Sequence, residues 1–297
     1  MISPYLIENK FIGVKRTKHG IFMFNRNDLF IGRSLDLYGE WCEPELLLLR
    51  ALVRAGDVVI DIGANIGTHV IPLANMVGNT GRVYAFEPQR TLFQMLCGNV
   101  ALNGIGNVWA FPKAVGASSG EVELPNLPSP DTPFNFGAVP LGKPGSGEKV
   151  DLVTVDSLDL SACRLIKIDV EGMEAEVLEG AKKTLTSLHP YLFLENNSLD
   201  KASRTIEAIF RVDYRAYWHI SPYFHQHNFY GSGENVFSRY RPEANLFCVP
   251  KSSRIKVDMI ECTDPDDNWK KATERGKEAA PRAPRNEDPA PGSQTGS

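Results

Sequence analysis

The chain has 297 residues, 42% of them hydrophobic, and a formal net charge of −4 with a pI of about 5.9. That length supports one sizeable α/β core, and the acidic balance provides no global field to hold nucleic acid. Five scattered cysteines without a Cys-x-x-Cys pair argue against a disulfide framework or a zinc site, and no apolar run approaches a membrane span.

The first ten residues lack the apolar core of a signal peptide, so a cytoplasmic location with reduced thiols is expected. Residues 1–42 alternate apolar and polar groups, as in Gly20–Phe24 and Leu29–Ile31, which predicts short strands in a small N-terminal β extension. The main domain is expected over residues 43–255. Glu43–Ala55 reads as a helix stopped by Gly56-Asp57. Strand 58–62 feeds a turn and a helix over 67–77. Strand 82–87 feeds a helix over about 89–102, with Leu92, Phe93, Leu96 and Val100 on one face. Strand 108–115 follows.

A Pro/Gly/Ser-rich insert then spans 117–149, where a disordered loop or a functional lid is expected. Its Phe134-Asn135-Phe136-Gly137 segment is too aromatic for a plain linker. Strand 164–169 leads to a helix over 173–188, and strand 191–195 to a helix over 199–211. Two final strands, 214–220 and 245–249, flank a loop at 221–243 that carries Tyr223, Phe224, His225, His227, Phe229, Tyr230, Arg239 and Arg241. Residues 263–297, rich in charge, Pro and Ala, predict a disordered tail. The alternation predicts an α/β fold with seven strands, mostly parallel, ending in an antiparallel pair, with helices on both faces.

The densest motif is Asp61-Ile62-Gly63-Ala64-Asn65-Ile66-Gly67-Thr68. A strand that ends in a glycine-rich turn before a helix lets a ligand approach backbone N–H groups. The second strand ends in Glu87, which can accept both hydroxyls of a ribose. A dinucleotide site wants Gly-x-Gly-x-x-Gly, whereas the aligned positions here are Gly63, Asn65 and Thr68. A carboxylate at Asp61 repels a pyrophosphate and attracts the ammonium group of S-adenosylmethionine. The turn therefore favours S-adenosylmethionine over NAD.

A second motif runs from Ile166 through Asp169, Glu171 and Glu174 at the end of the fourth strand, on the carboxyl edge where open α/β sheets bind ligands. Helix capping is the alternative role for Glu174. Asp169 and Glu195 are a carboxylate pair of the kind that holds a divalent cation, but two carboxylates are weak evidence and no metal is expected.

With Asp61–Gly67, Phe86-Glu87-Pro88, Leu165–Glu174 and Val177–Ala181 in view, the chain resembles the FkbM-type methyltransferases from about residue 35 to 250. The resemblance implies a Rossmann-like class I methyltransferase sheet and S-adenosylmethionine-dependent O-methylation of a hydroxyl on a sugar, glycan or other natural product. It carries over Asp61, Gly63, Asn65, Gly67 and Glu87 as cofactor contacts, and Ala114 and Asp169 are counted with them. Candidate bases for the acceptor hydroxyl are Asp169, Glu171 and His219. Aromatic groups in the 221–243 loop suit a glycan or ring-bearing acceptor. An NAD(P)-dependent oxidoreductase and a non-catalytic cofactor-binding protein are the alternatives.

Overall fold

The computed structural model describes residues 4–139 and 147–279. Strands β1 (Ile7–Glu8), β2 (Ile12–Thr17) and β3 (Gly20–Asn25) form a small antiparallel sheet, followed by helices α1 (Ile31–Leu37) and α2 (Glu43–Leu52). Next come β4 (Val58–Ile62), α3 (Val70–Val77), β5 (Arg82–Phe86), α4 (Arg90–Leu102) and β6 (Val108–Phe111). Strands β7 (Ala114–Val115), β8 (Gly120–Pro125) and β9 (Gly147–Val153) make a second small sheet. The chain returns through β10 (Leu165–Ile168), α5 (Glu174–Glu179), α6 (Lys182–Leu188), β11 (Tyr191–Glu195) and α7 (Ala202–Arg211). It finishes with β12 (Tyr214–Ser221), β13 (Glu243–Pro250), β14 (Ile260–Cys262) and α8 (Trp269–Ala279).

The central sheet runs β14-β12-β13-β11-β10-β4-β5-β6. Strands β11, β10, β4, β5 and β6 pair in parallel, and β13 is antiparallel to both β11 and β12. Strands buried on both faces need continuous apolar runs. Leu165, Ile166 and Ile168 of β10 and Val59, Ile60 and Ile62 of β4 are at most 1% exposed. One face packs on Val177, Leu178, Leu185, Ile206 and Ile209, and the other on Leu49, Val70, Leu73, Val77 and Leu96. From β4 the chain progresses outward through β5 and β6, then returns to β10 on the other side of β4. This switch opens a crevice at the carboxyl ends of β4 and β10. Among the described residues no helix is long and apolar enough to cross a membrane.

Several elements differ from expectation for identifiable reasons. The sheet has eight strands among the described residues rather than seven, because β14 adds to the free edge of β12. The predicted 108–115 strand divides at Pro112, which has no N–H for a ladder, and Ala114 moves to the smaller sheet. The predicted 173–188 helix breaks at Gly180, where a Cβ would lie 2.0 Å from the Gly116 carbonyl oxygen. Residues 29–31 turn into α1 instead of a strand, because Asp28 accepts the Phe30 N–H at 2.8 Å. The insert is partly ordered: β8 pairs antiparallel with β9, while residues 140–146 lie outside the described residues. The first part of the expected tail forms α8, with Ala272 fully buried and Arg275 paired to Asp267, which also accepts the Trp218 indole N–H. Residues 280–297 lie outside the described residues.

Candidate functional site

At the end of β4 the backbone turns sharply. Gly63 has φ +81°, and a Cβ there would lie 1.8 Å from the Asp169 carbonyl oxygen. Only glycine lets the β4 turn lie against the end of β10 this closely. The N–H groups of Gly63 and Ala64 both donate to the Phe86 carbonyl at 2.9 Å, and the Asn65 N–H donates to Glu87 Oε2 at 2.8 Å. Gln89 N–H donates to the other Glu87 oxygen at 2.9 Å. The strand-end glutamate is thus fixed by two backbone donors, and each oxygen keeps a lone pair for a ligand. Burial raises the Glu87 carboxyl to about 7 despite these two donors.

Two connected cavities meet here. The smaller, about 60 Å³, is lined by Phe86, Pro88, Ala114, Val115, Val139 and Met173 around Glu87. The larger, about 200 Å³, continues past Asn65, Thr68, His69 and Lys167 to Phe30, Trp41, Tyr223, Tyr240, Arg241 and Glu243. Gly63, Glu87, Gly137, Asp169 and Glu171 line both. Gly137 brings the insert over the turn, so close that a Cβ on it would lie 2.7 Å from Asn65 Nδ2. The insert is held there by the Leu29 N–H on the Phe134 carbonyl at 3.0 Å and the Gln89 amide on the Phe136 carbonyl at 3.2 Å.

Of the expected cofactor contacts, Gly63, Asn65, Glu87, Ala114 and Asp169 line the cavities, and Asp61 and Gly67 do not. Asp61 is fully buried beneath Lys167, whose ammonium lies 3.4 Å from Asp61 and 3.3 Å from Asp169. Burial works against the Lys167 charge, but the two carboxylates outweigh it and hold the ammonium protonated above its usual range. Asp61 thus lies behind Lys167 and lines neither cavity. Gly67 has φ +92° and lies against Leu96, so it shapes the turn from behind.

Of the candidate bases, Asp169 and Glu171 line both cavities. His219 lines neither. Its ring packs edge-on against Phe193, with centroids 5.5 Å apart, and burial lowers its pKa. His219 does lie at the carboxyl edge, level with Asn245 and Glu195, but strand alternation turns it to the same face of β12 as Tyr217 and away from both cavities. Glu171 sits at φ +54°, a conformation that L side chains seldom adopt outside sites the fold over-determines. Burial first, then Asp169 and Glu243, raise its carboxyl to about 8. Burial and neighbouring carboxylates also raise Glu195, well above the usual range, and Glu243, to about 7. Asn197 donates to both Glu195 and Glu243, and Arg241 donates to the Asn197 carbonyl. Oxygens of Asp169, Glu171 and Glu195 lie within 4.8 Å of one another, a spacing a divalent ion accepts. Glu174 turns back from the start of α5 and accepts the N–H groups of Val170 and Gly172 in the preceding loop.

Of the 221–243 loop residues singled out in the sequence, Tyr223 and Arg241 reach the cleft and the others do not. Tyr223 stacks on Trp41, and Phe30 packs edge-on against both Tyr223 and Tyr240 at 5.4 and 4.8 Å. Residues not anticipated are Lys167, Thr68, His69, Trp41 and Tyr240. A lone lysine inside an apolar strand was the available signal for Lys167. Thr68-His69 directly after the last glycine was the signal for α3.

The residue set fits a nucleoside cofactor with a zwitterionic tail: an apolar slot, a glutamate for the ribose diol, and paired charges beyond it. The profile of the methyltransferase FkbM domain matches residues 61–228. A hexuronic acid methyltransferase, AglP, of Haloferax volcanii is 33% identical over 164 residues, which cover 54% of this chain and 63% of that protein. The chain thus spans under two thirds of that relative's length. Among solved structures, a methyltransferase FkbM from Methylobacillus flagellatus is 20% identical with a TM-score of 0.43, covering 66% of this chain and 45% of that one. An S-adenosylmethionine-dependent O-methyltransferase from Thermotoga maritima is 13% identical with a TM-score of 0.45, covering 82% and 79%.

Proposed function

Because this chain belongs to the FkbM methyltransferase family, we propose that it transfers a methyl group from S-adenosylmethionine to a hydroxyl of a sugar, glycan or similar small molecule, in the cytoplasm and without a nucleic-acid substrate. The observation that carries this reading is the continuity of the cleft. The apolar slot beside Ala114 and Val115 leads past Glu87 and the Gly63–Asn65 turn into a chamber walled by Trp41, Tyr223 and Tyr240. The slot suits adenine, Glu87 the ribose, and the aromatic walls the apolar face of a sugar ring. The Asn65 side chain stands where a dinucleotide pyrophosphate needs a glycine, which weighs against the oxidoreductase alternative.

Bound S-adenosylmethionine supplies a methyl group already activated by its sulfonium. The protein's remaining tasks are alignment and removal of the hydroxyl proton. Asp169, beside Lys167, lines both cavities and would hold the ammonium of the cofactor tail. Glu171 is the base this reading favours, since with its pKa raised to about 8 its ionised form is a stronger base than an ordinary glutamate and grows as pH rises through that value. Arg241 and Asn197 orient the acceptor against the acidic floor. A hexuronic acid, the substrate class in the name of the relative from Haloferax volcanii, is the first acceptor class to screen.

The test is methyl transfer from labelled S-adenosylmethionine to uronic-acid-terminated and neutral oligosaccharides. Label on a sugar, lost in Glu87→Ala, supports the reading. Binding of NAD in place of S-adenosylhomocysteine would sink it.

A further inference from the structure

The amino end of α7 borders Glu171. A further pocket of about 260 Å³ lies there, lined by Glu171, Gly172, Glu176, Lys201, Arg204 and Thr205, so Glu171 is a wall that it shares with both cleft cavities. Thr205, in the first turn of α7, is 2% exposed and lines the pocket, and its hydroxyl forms no hydrogen bond among the described residues. A hydroxyl enclosed this way needs a partner. The backbone N–H groups of Ser203 and Arg204 also meet no acceptor among the described residues, and helix amino ends attract anions. The Lys201 ammonium approaches the Gly172 carbonyl at 3.5 Å and forms no ion pair among the described residues. Gly172 leaves it that room, since a Cβ there would lie 2.3 Å from Lys201 Nζ. Of the two acids, Glu176 pairs with Arg204 at 2.7 Å, and Glu171, with its pKa raised to about 8, is mostly protonated at neutral pH. An ammonium, a hydroxyl and two N–H groups are left as donors without an acceptor.

We infer that this pocket holds an anionic substituent of the acceptor, a phosphate or carboxylate carried on the sugar, through Lys201, the Thr205 hydroxyl and the amino end of α7. The inference deepens the sugar-acceptor reading above and rests on it. Because Glu171 borders all three cavities, a ring whose reacting hydroxyl meets it can point a substituent into the chamber or over Gly172 towards Lys201. The chamber side carries Glu195 and Glu243 beside Asp169, which disfavour an anion. The Lys201 side presents the free donors. An anion held there keeps clear of the acidic floor and fixes which hydroxyl of the ring meets Glu171.

The test is calorimetric titration of the protein saturated with S-adenosylhomocysteine, using glucose 1-phosphate, glucuronic acid and glucose as probes. Wild type should bind at least one of the two anionic sugars about tenfold more tightly than glucose, and added salt should shrink that preference. The tighter of the two tells phosphate from carboxylate. Lys201→Met and Thr205→Val should each cut the preference to roughly threefold or less, with S-adenosylhomocysteine affinity unchanged. Lys201→Met alters an exposed side chain, so it decides if the buried Thr205→Val fails to fold. Equal binding of the three sugars, binding of none, or a preference untouched by Lys201→Met would overturn the inference. Failure of wild type to bind S-adenosylhomocysteine would instead overturn the cofactor reading and the inference with it.

Discussion

The backbone N–H of Asn65 donates to the Glu87 carboxylate at 2.8 Å, so the turn after β4 holds the acid at the end of β5. The left-handed Asn65 backbone, φ +49°, aims that N–H. On the proposed reading, a ribose held by Glu87 would be tied to that turn.

Glu87 sets a pH dependence for nucleoside binding. Ribose hydroxyls donate to the ionised carboxylate, whose pKa is raised to about 7 by burial. Below that value the group is protonated and offers one acceptor fewer. Affinity for decarboxylated S-adenosylhomocysteine should therefore rise as pH increases from 6 to 8. Glu87→Gln should flatten the profile and weaken binding roughly 10- to 100-fold. Titration calorimetry at three pH values checks both. A wild-type profile flat across that range would show that Glu87 ionisation does not control binding.

Lys167 is only 4% exposed and sits between Asp61 and Asp169. Lys167→Met leaves the fully buried Asp61 without its cation and should cost about 3–5 kcal/mol. Adding Asp61→Asn removes the orphaned charge and should recover much of that loss. Urea unfolding of the two single variants and the double variant measures the coupling. Additive effects would mean the pair contributes nothing as a pair.

Much of this site was legible because its chemistry is local in the chain. The Gly63–Gly67 turn, Glu87 and Asp169 each follow a strand read from a few β-branched residues, and parallel strands bring their carboxyl ends together. What escaped notice is assembled across long sequence distances. His69 and Glu45 are 24 residues apart, and Glu45 and Asn245 are 200 apart. No periodicity encodes such a contact. His219 shows the other limit: its strand was expected, but the face on which it sits depends on register within the sheet. Asp61 was expected at the ligand, and a strand-end acid does not announce that a lysine on the neighbouring strand lies over it. That lysine is Lys167, whose Cα pairs directly with Asp61.

The base assignment separates two residues. Glu171→Gln should lower turnover about 10²- to 10⁴-fold, with S-adenosylhomocysteine affinity unchanged. His219→Asn should leave turnover unchanged, because His219 lines neither cavity. Single-turnover methylation assays on the best sugar acceptor compare them. Full activity in Glu171→Gln would transfer the role to Asp169.

The same acidic floor makes stability depend on pH. Glu171, Glu195 and Glu243 all have pKa values raised in the folded protein, to about 8 for Glu171 and about 7 for Glu243. Unfolded glutamates titrate near 4.3. Between those values the folded state binds more protons than the unfolded state, so stability falls as pH rises. The stabilisation is fully present below the unfolded pKa and is lost as pH climbs through the folded values. The midpoint of thermal unfolding should therefore drop from pH 6 to pH 9, and the Glu171→Gln/Glu243→Gln double variant should show a shallower decline. Differential scanning calorimetry in matched ionic strength reads this directly. A divalent ion seated among Asp169, Glu171 and Glu195 would displace the protons and reverse the trend, so the scan is repeated with magnesium and with a chelator. Identical curves would show that protons, not a metal, neutralise the floor.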